Sequence, residues 1–255
     1  MGVRCPIILQ VKKMIKFASI TNKGERTHNE DAIGVFSNKG ISGCIVCDGL
    51  GGHGMGDIAS SITVDLFGDT VSTCQDIDRS FFERFFDMAQ NRLQEEQRAR
   101  HVPNKMKTTA AVLLLDDNKA RFGHIGDTRV YVFGQMSIQS RTFDHSVPEA
   151  LARAGIILES EIRHHPDRNK LLKVLGDAEN IAEGSISDEI DLSCVKAFLL
   201  CSDGFWEHIT EETMCDLLLE SHSSNDWICK MTKEVLKNGE AHDMDNYSAI
   251  AVWIY

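Results

Sequence analysis

Residues Ser42–Phe67 read SGCIVCDGLGGHGMGDIASSITVDLF: an apolar run, an aspartate, a glycine-rich turn, and then apolar residues at helical spacing. The run 42–47 has the length and composition of a buried strand. It carries Asp48 to the strand tip, where a carboxylate without a partner is costly. Gly49-Leu50-Gly51-Gly52-His53-Gly54 spells GxGxxG between strand and helix, and Asp69 follows Gly49 by 20 residues. A dinucleotide-binding unit must therefore be weighed. It fails on two counts. The stretch DLFGDTVSTCQDIDRSFF (65–82) runs from one helix directly into another, with no parallel strand between. Asp48 would also set its negative charge against a pyrophosphate.

Outward from this stretch the same device recurs. Asp31 sits in NED, Asp127 in GDTR, Asp203 in SDG and Asp245 in DN, beside apolar runs such as RFGHIG (121–126) and KAFLLCS (196–202). Alone, DG and DN dipeptides are ordinary turn formers. Five aspartates at the ends of separate buried strands pose a different problem, because carboxylates that converge repel one another. Divalent cations resolve it, since clustered carboxylates are the hard oxygen ligands such ions bind. The pattern predicts a multi-metal hydrolytic site. Gly49 is expected to let the backbone turn so that its carbonyl also faces an ion, and the glycines after it to keep side chains out of the pocket.

The 255 residues suffice for one large domain. A formal net charge of -11 excludes a nucleic-acid backbone as partner, and no apolar run is long enough to span a membrane. The start, MGVRCPIILQVKK, has no small-residue cleavage site, and Pro6 stands where myristoylation requires Ser or Thr. Residues 1–13 are read as an extension and 14–255 as the domain. The eight cysteines have no disulfide or zinc spacing. In Cys44-Ile45-Val46-Cys47 the odd offset on a strand sends the two thiols to opposite faces. A reduced, cytoplasmic protein is expected.

Strands are predicted over 15–20, 32–37, 42–47, 109–115, 119–125, 129–133, 181–187, 195–201 and 248–254, with a hairpin turn at Asp116-Asp117-Asn118-Lys119. Helices are predicted over 57–68, with Ile58, Ile62, Asp65 and Leu66 at helical spacing, and over 79–100 behind Asp78 as N-cap. RLQEEQRAR (92–100) reads as a solvated face. Further helices are expected over 147–155, 159–164, 211–221 and 225–237. Helices come in pairs between blocks of strands, which favours an α+β fold with antiparallel sheets and helices outside.

Taken in order, RTHNED (26–31), CDGLGGH (47–53), TTA (108–110), GDTRVY (126–131), DHS (144–146), LCSDGFWE (200–207) and DN (245–246) resemble the metal-dependent Ser/Thr protein phosphatases of the type 2C (PPM) family, over roughly residues 15–255. The resemblance implies a four-layer α-β-β-α sandwich with two central antiparallel sheets. It implies a binuclear Mn²⁺ or Mg²⁺ centre held by Asp31, Asp48, Asp203 and Asp245, with Asp48 bridging and Gly49 giving its carbonyl. A third ion would lie between Asp127 and Asp203. Arg26 matches the arginine that holds substrate phosphate, and Glu30 an acid that orients bound water. Residues 147–176 resemble the flap beside the active site and the segment after it, which makes His164-His165 structural. Phe205-Trp206, with HPDRN (165–169), resembles the phosphatases that accompany bacterial type VI secretion. The chain departs from the family at Leu50, where many eukaryotic members have a histidine, and at Lys107, where glycine is usual. His53 is not given that histidine's acid role. The chemistry implied is hydrolysis of phosphoserine and phosphothreonine in proteins by a monomer opposing a Ser/Thr kinase, with Arg26, Glu30 and Asp48 as the catalytic residues.

Overall fold

The computed structural model describes residues 13–50, 55–178, 183–239 and 244–255. Two antiparallel sheets form its centre. One has the order β1 (Ile15–Asn22), β13 (Tyr247–Ile254), β12 (Ala197–Cys201), β8 (Arg129–Phe133), β9 (Ile138–Arg141). The other runs β10 (Ser185–Ile186), β7 (Lys119–Ile125), β6 (Ala110–Leu115), β3 (Ile41–Cys47), β2 (Ala32–Asn38), with β11 (Ile190–Asp191) also on β7. A small ladder joins β4 (Gly49–Leu50) to β5 (Lys107–Thr108).

Strand alternation builds three apolar layers. On β12, Phe198 and Leu200 point between the sheets, while Ala197, Leu199 and Cys201 meet the outer helices. On β6, Ala111, Leu113 and Leu115 face inward and Ala110, Val112 and Leu114 outward. Burial on both faces explains why these strands read as unbroken apolar runs. Cys44 lies between the sheets and Cys47 beneath the helices, so the CxxC pair is split across the sheet as its offset requires. Helices α1 (Gly56–Ser72) and α2 (Arg79–Ala99) cover one sheet. The short α4 (Asp203–Trp206), α5 (Glu211–Leu219) and α6 (Ser224–Gly239) cover the other. The α-β-β-α sandwich is thus present.

Asp78 caps α2, accepting from the Phe81 N–H at 2.8 Å. Asp116 Oδ1 accepts from the N–H groups of Asn118 and Lys119 in the β6–β7 hairpin. Several expectations differ from the structure. The inward face of α1 is Ala59, Ser60, Thr63, Val64 and Phe67, whereas Ile58, Ile62 and Leu66 are half-buried. Gly56 abuts Gly49, which sets the rotation of the helix and brings its small residues inward. The 92–100 stretch is not wholly solvated. Gln97 is buried, donating to the carbonyls of Met106 and Gly176 and accepting from Asn104 N–H. Residues 159–164 form a 3-10 turn, and 147–155 shortens to α3 (Val147–Arg153). Of the strand expected at 181–187, residues 181 and 182 lie outside the described residues, and within 183–187 only Ser185–Ile186 is strand. Residues 1–12 and 51–54, His53 among them, lie outside the described residues.

Candidate metal centre

Antiparallel pairing assembles the site. Ala32 pairs with Cys47, Ala110 with Ile125, and Cys201 with both Ala249 and Arg129. The starts of β2, β8 and β13 therefore lie beside the ends of β3, β7 and β12. Asp31, Asp48, Asp127, Asp203 and Asp245 all flank those six strand ends. Two hydrogen bonds tie the sheets together here. Ser202 Oγ, next to β12, donates to Asp31 Oδ2, next to β2, at 2.8 Å. Asn246 Oδ1, before β13, accepts from Glu30 N–H at 2.7 Å, and its Nδ2 donates to the carbonyls of Lys23 and His28.

Asp48 is fixed through its backbone. Its N–H donates to Thr109 Oγ1, and its carbonyl accepts from Thr109 N–H and Thr108 Oγ1, both at 2.8 Å. Thr109 Oγ1 also meets Thr128 Oγ1, beside Asp127. Gly49 is required by crowding. A Cβ there would sit 2.3 Å from Gly56 O and 2.6 Å from Glu30 O. Its φ is not positive, so close approach and not left-handed freedom is the reason for glycine. Gly126, with φ +96°, does use that freedom, to turn the chain into Asp127.

The carboxylates sense one another. Burial, followed by Asp203, Asp31 and Asp127, holds the Asp48 carboxyl well above its usual range. Burial raises Asp31 to about 7 against the opposing hydrogen bonds from Ser248 and Ser202. Asp127 is raised by burial and by Asp203, and Asp203 by burial and by Asp245. Glu30 is raised chiefly by burial, then by Asp57 and Asp245. Among the described residues no three His, Cys, Asp or Glu side chains converge into a single-ion cage. The acids are spread over a common face, mutually repelling, and Asp31 Oδ1 is buried with no hydrogen-bond partner. All the donors are hard oxygens, so the residues fit divalent cations shared among them.

Arg26 stands at the rim, half exposed, with Nη2 2.8 Å from Asp245 Oδ2. It opens on a cleft of about 310 Å³ whose wall includes Asp203, Asp245, Arg168, Asn169 and Glu207. Glu207 pairs with Arg168 at 3.2 Å, and burial, followed by Asp203, raises its carboxyl to about 7. Beneath Asp127, a buried Arg129 makes a two-pronged pair with Asp144 and lies 3.4 Å from the Trp206 ring centroid. The Trp206 indole N–H donates to Asp127 O at 3.0 Å. Sequence reading gave no role to Ser202, Asn246, Glu207, Arg168 or Trp206. Only the neighbouring aspartates and the HPDRN run signalled them.

The family profile described as Protein phosphatase 2C matches residues 21–247. The chain belongs to the protein phosphatase 2C family. Among protein phosphatase 2C relatives, it is 30% identical over 214 residues to serine/threonine phosphatase stp of Listeria welshimeri, covering 80% of this chain and 82% of that one. Serine/threonine phosphatase Stp1 from Staphylococcus aureus superposes with a TM-score of 0.86 at 25% identity, covering 100% of both chains. The catalytic domain of the phosphatase PstP, solved in complex with 2 manganese ions, shares the fold at TM-score 0.80 and 20% identity, covering 95% of this chain and 99% of that one.

Proposed function

We propose that the protein is a metal-dependent protein serine/threonine phosphatase whose ions are held by Asp31, Asp48, Asp203 and Asp245 and the Gly49 carbonyl, with Asp127 and Asp203 offering a further site. The observation that carries this is the unpartnered, buried Oδ1 of Asp31 within a set of mutually repelling oxygen donors. The names of the Listeria and Staphylococcus relatives support the substrate class, and the manganese of PstP supports the metal class.

Bound there, Mn²⁺ or Mg²⁺ would offset the phosphate charge and make a water nucleophilic near neutral pH. The chain's own residues do the rest. Arg26 meets the phosphoryl oxygens with charge-assisted hydrogen bonds, and its ion pair with Asp245 aims the guanidinium beforehand. Glu30 is held by its backbone N–H bond to Asn246 and orients water at the edge of the site. The Thr108, Thr109 and Thr128 hydroxyls fix the Asp48 and Asp127 loops relative to each other. Among the described residues no helix is long and apolar enough to cross a membrane. The enzyme acts as a cytoplasmic monomer on proteins phosphorylated by a Ser/Thr kinase.

The test is hydrolysis of p-nitrophenyl phosphate and of a phosphothreonine peptide with Mn²⁺, Mg²⁺ or EDTA. Turnover is expected with either cation and lost in EDTA and in Asp48→Asn. Turnover that persists in EDTA would overturn the metal assignment.

A further inference from the structure

Next to the cleft lies a second hollow of about 500 Å³. The two share Arg168, Glu207 and His208 as lining, so the Arg168–Glu207 pair forms a wall between them. The hollow is also lined by Arg163, His164 and Thr210. Its groups are mostly hydrogen-bond donors. Arg163 is fixed in advance: it donates to Glu211 Oε2 and to Trp206 O, and lies 5.6 Å from the Trp206 ring centroid. Among the described residues Glu207 is the only carboxylate of the lining, and it is engaged by Arg168.

Local charge runs against the trend of the chain. Overall, 38 Asp and Glu outnumber 27 Lys and Arg. Within 163–173, however, Arg163, Arg168, Lys170 and Lys173 face Asp167 alone as the acid, alongside His164 and His165. A polypeptide advances about 3.3 to 3.6 Å per extended residue. With its phosphorylated residue in the cleft, a side chain one or two positions away therefore reaches the second hollow. An apolar side chain there would leave donors unanswered, and a cationic one would meet two arginines.

We propose that this hollow is a substrate subsite for an anionic side chain, a carboxylate or a second phosphate, flanking the phosphorylated residue. The inference rests on the protein phosphatase reading. Because Arg163 and Arg168 are ordered before substrate arrives, the contact contributes to binding without an ordering cost. It is made alike in ground and transition states, so it acts on KM and leaves kcat unchanged.

Three phosphoserine peptides of equal length test it, with a neutral flank, a glutamate flank or a second phosphoserine. Each is measured for kcat/KM with Mn²⁺ and for binding by fluorescence anisotropy. Wild type, Thr210→Asp and His164→Ala are compared. Thr210 Oγ1 accepts from Thr213 N–H at the start of α5, and aspartate preserves that cap while adding a negative charge to the hollow. The expected result is an anionic-to-neutral ratio of roughly 5- to 10-fold in wild type, carried by KM. The ratio should fall toward one in Thr210→Asp and be reduced in His164→Ala. Preference for only the doubly phosphorylated peptide would narrow the ligand to phosphate. Equal values for all three peptides in wild type, or a preference unmoved by both variants, would overturn the subsite. Absence of turnover on every peptide and on p-nitrophenyl phosphate would instead overturn the phosphatase reading, while the anisotropy ratio would still decide the subsite.

Discussion

Ser202 Oγ donates to Asp31 Oδ2 at 2.8 Å across 171 residues of sequence, and the same oxygen accepts from Ser248 N–H at 3.0 Å. One hydroxyl thus holds the β12 end, the β13 start and a candidate metal ligand together. Ser202→Ala leaves a buried N–H and a buried carboxylate oxygen without that partner. The expected cost is about 1 to 3 kcal/mol, read from urea denaturation. The Mn²⁺ concentration for half-maximal turnover should also rise, because Asp31 loses its orientation. Unchanged values of both would show that the hydroxyl is dispensable.

Burial, followed by repulsion from Asp245, raises the Asp203 carboxyl, against a hydrogen bond with Asp48 that lowers it. Replacing it by asparagine removes a buried charge from a cluster of like charges. In EDTA, Asp203→Asn should melt higher than wild type by about 2 to 4 °C, the equivalent of ~1 kcal/mol in a chain of this size. Its turnover should be lost, and added Mn²⁺ should raise its melting temperature less than that of wild type. A lower melting temperature in EDTA would contradict the repulsion.

Buried and exposed ion pairs should differ sharply. The Arg129 and Asp144 side chains are 3% and 1% exposed, and Asp144→Asn leaves the buried guanidinium with only its longer, 3.5 Å contact to the partly exposed Glu211. The expected loss is about 3 to 5 kcal/mol. Arg79 and Glu83, both more than half exposed on α2, form an i,i+4 pair, and Arg79→Ala should cost at most about 0.5 kcal/mol. Denaturant midpoints of the two variants measure the contrast.

Two stacked imidazoles make stability sensitive to acid. His124 and His145 lie 4.6 Å apart at 12°. Gly126 N–H donates to His145 Nδ1, so the proton sits on Nε2, which donates to Ser185 Oγ. Burial, followed by His124 and Lys173, pushes His145 down to about 3. Its ordinary value is 6.5, so between those limits the unfolded chain binds more protons. Stability therefore falls as pH drops below about 6.5. His145→Gln should lower stability at pH 7 and flatten its decline between pH 7 and 5, by up to about 1.4 kcal/mol per pH unit. Urea titrations at three pH values settle the slope.

The layers were legible because residues buried on both faces leave unbroken apolar runs, as in AVLLL (111–115) and AFLLC (197–201). The acids were legible because each needs a strand end and a turn residue beside it. Less visible were groups whose role depends on a distant partner. Asn246 looks like half of a turn dipeptide until its amide is seen joining Lys23, His28 and Glu30. Gln97 looks solvated, yet it serves backbone groups of two loops. The rotation of α1 also escaped periodicity, because a glycine–glycine contact and not its large residues set it. No local spacing encodes such contacts.

The pairing of β13 with both β1 and β12 has a consequence for synthesis. Strand β13 fills the gap between the first strand and the rest of its sheet, and the residues just before it bring Asp245 and Asn246 to the site. Everything N-terminal to them can emerge from the ribosome and still lack a tether for Arg26 and a brace for Glu30. Competence is thereby deferred until the last strand has been translated and threaded between its neighbours. A nascent chain still missing residues 245–254 should dephosphorylate nothing.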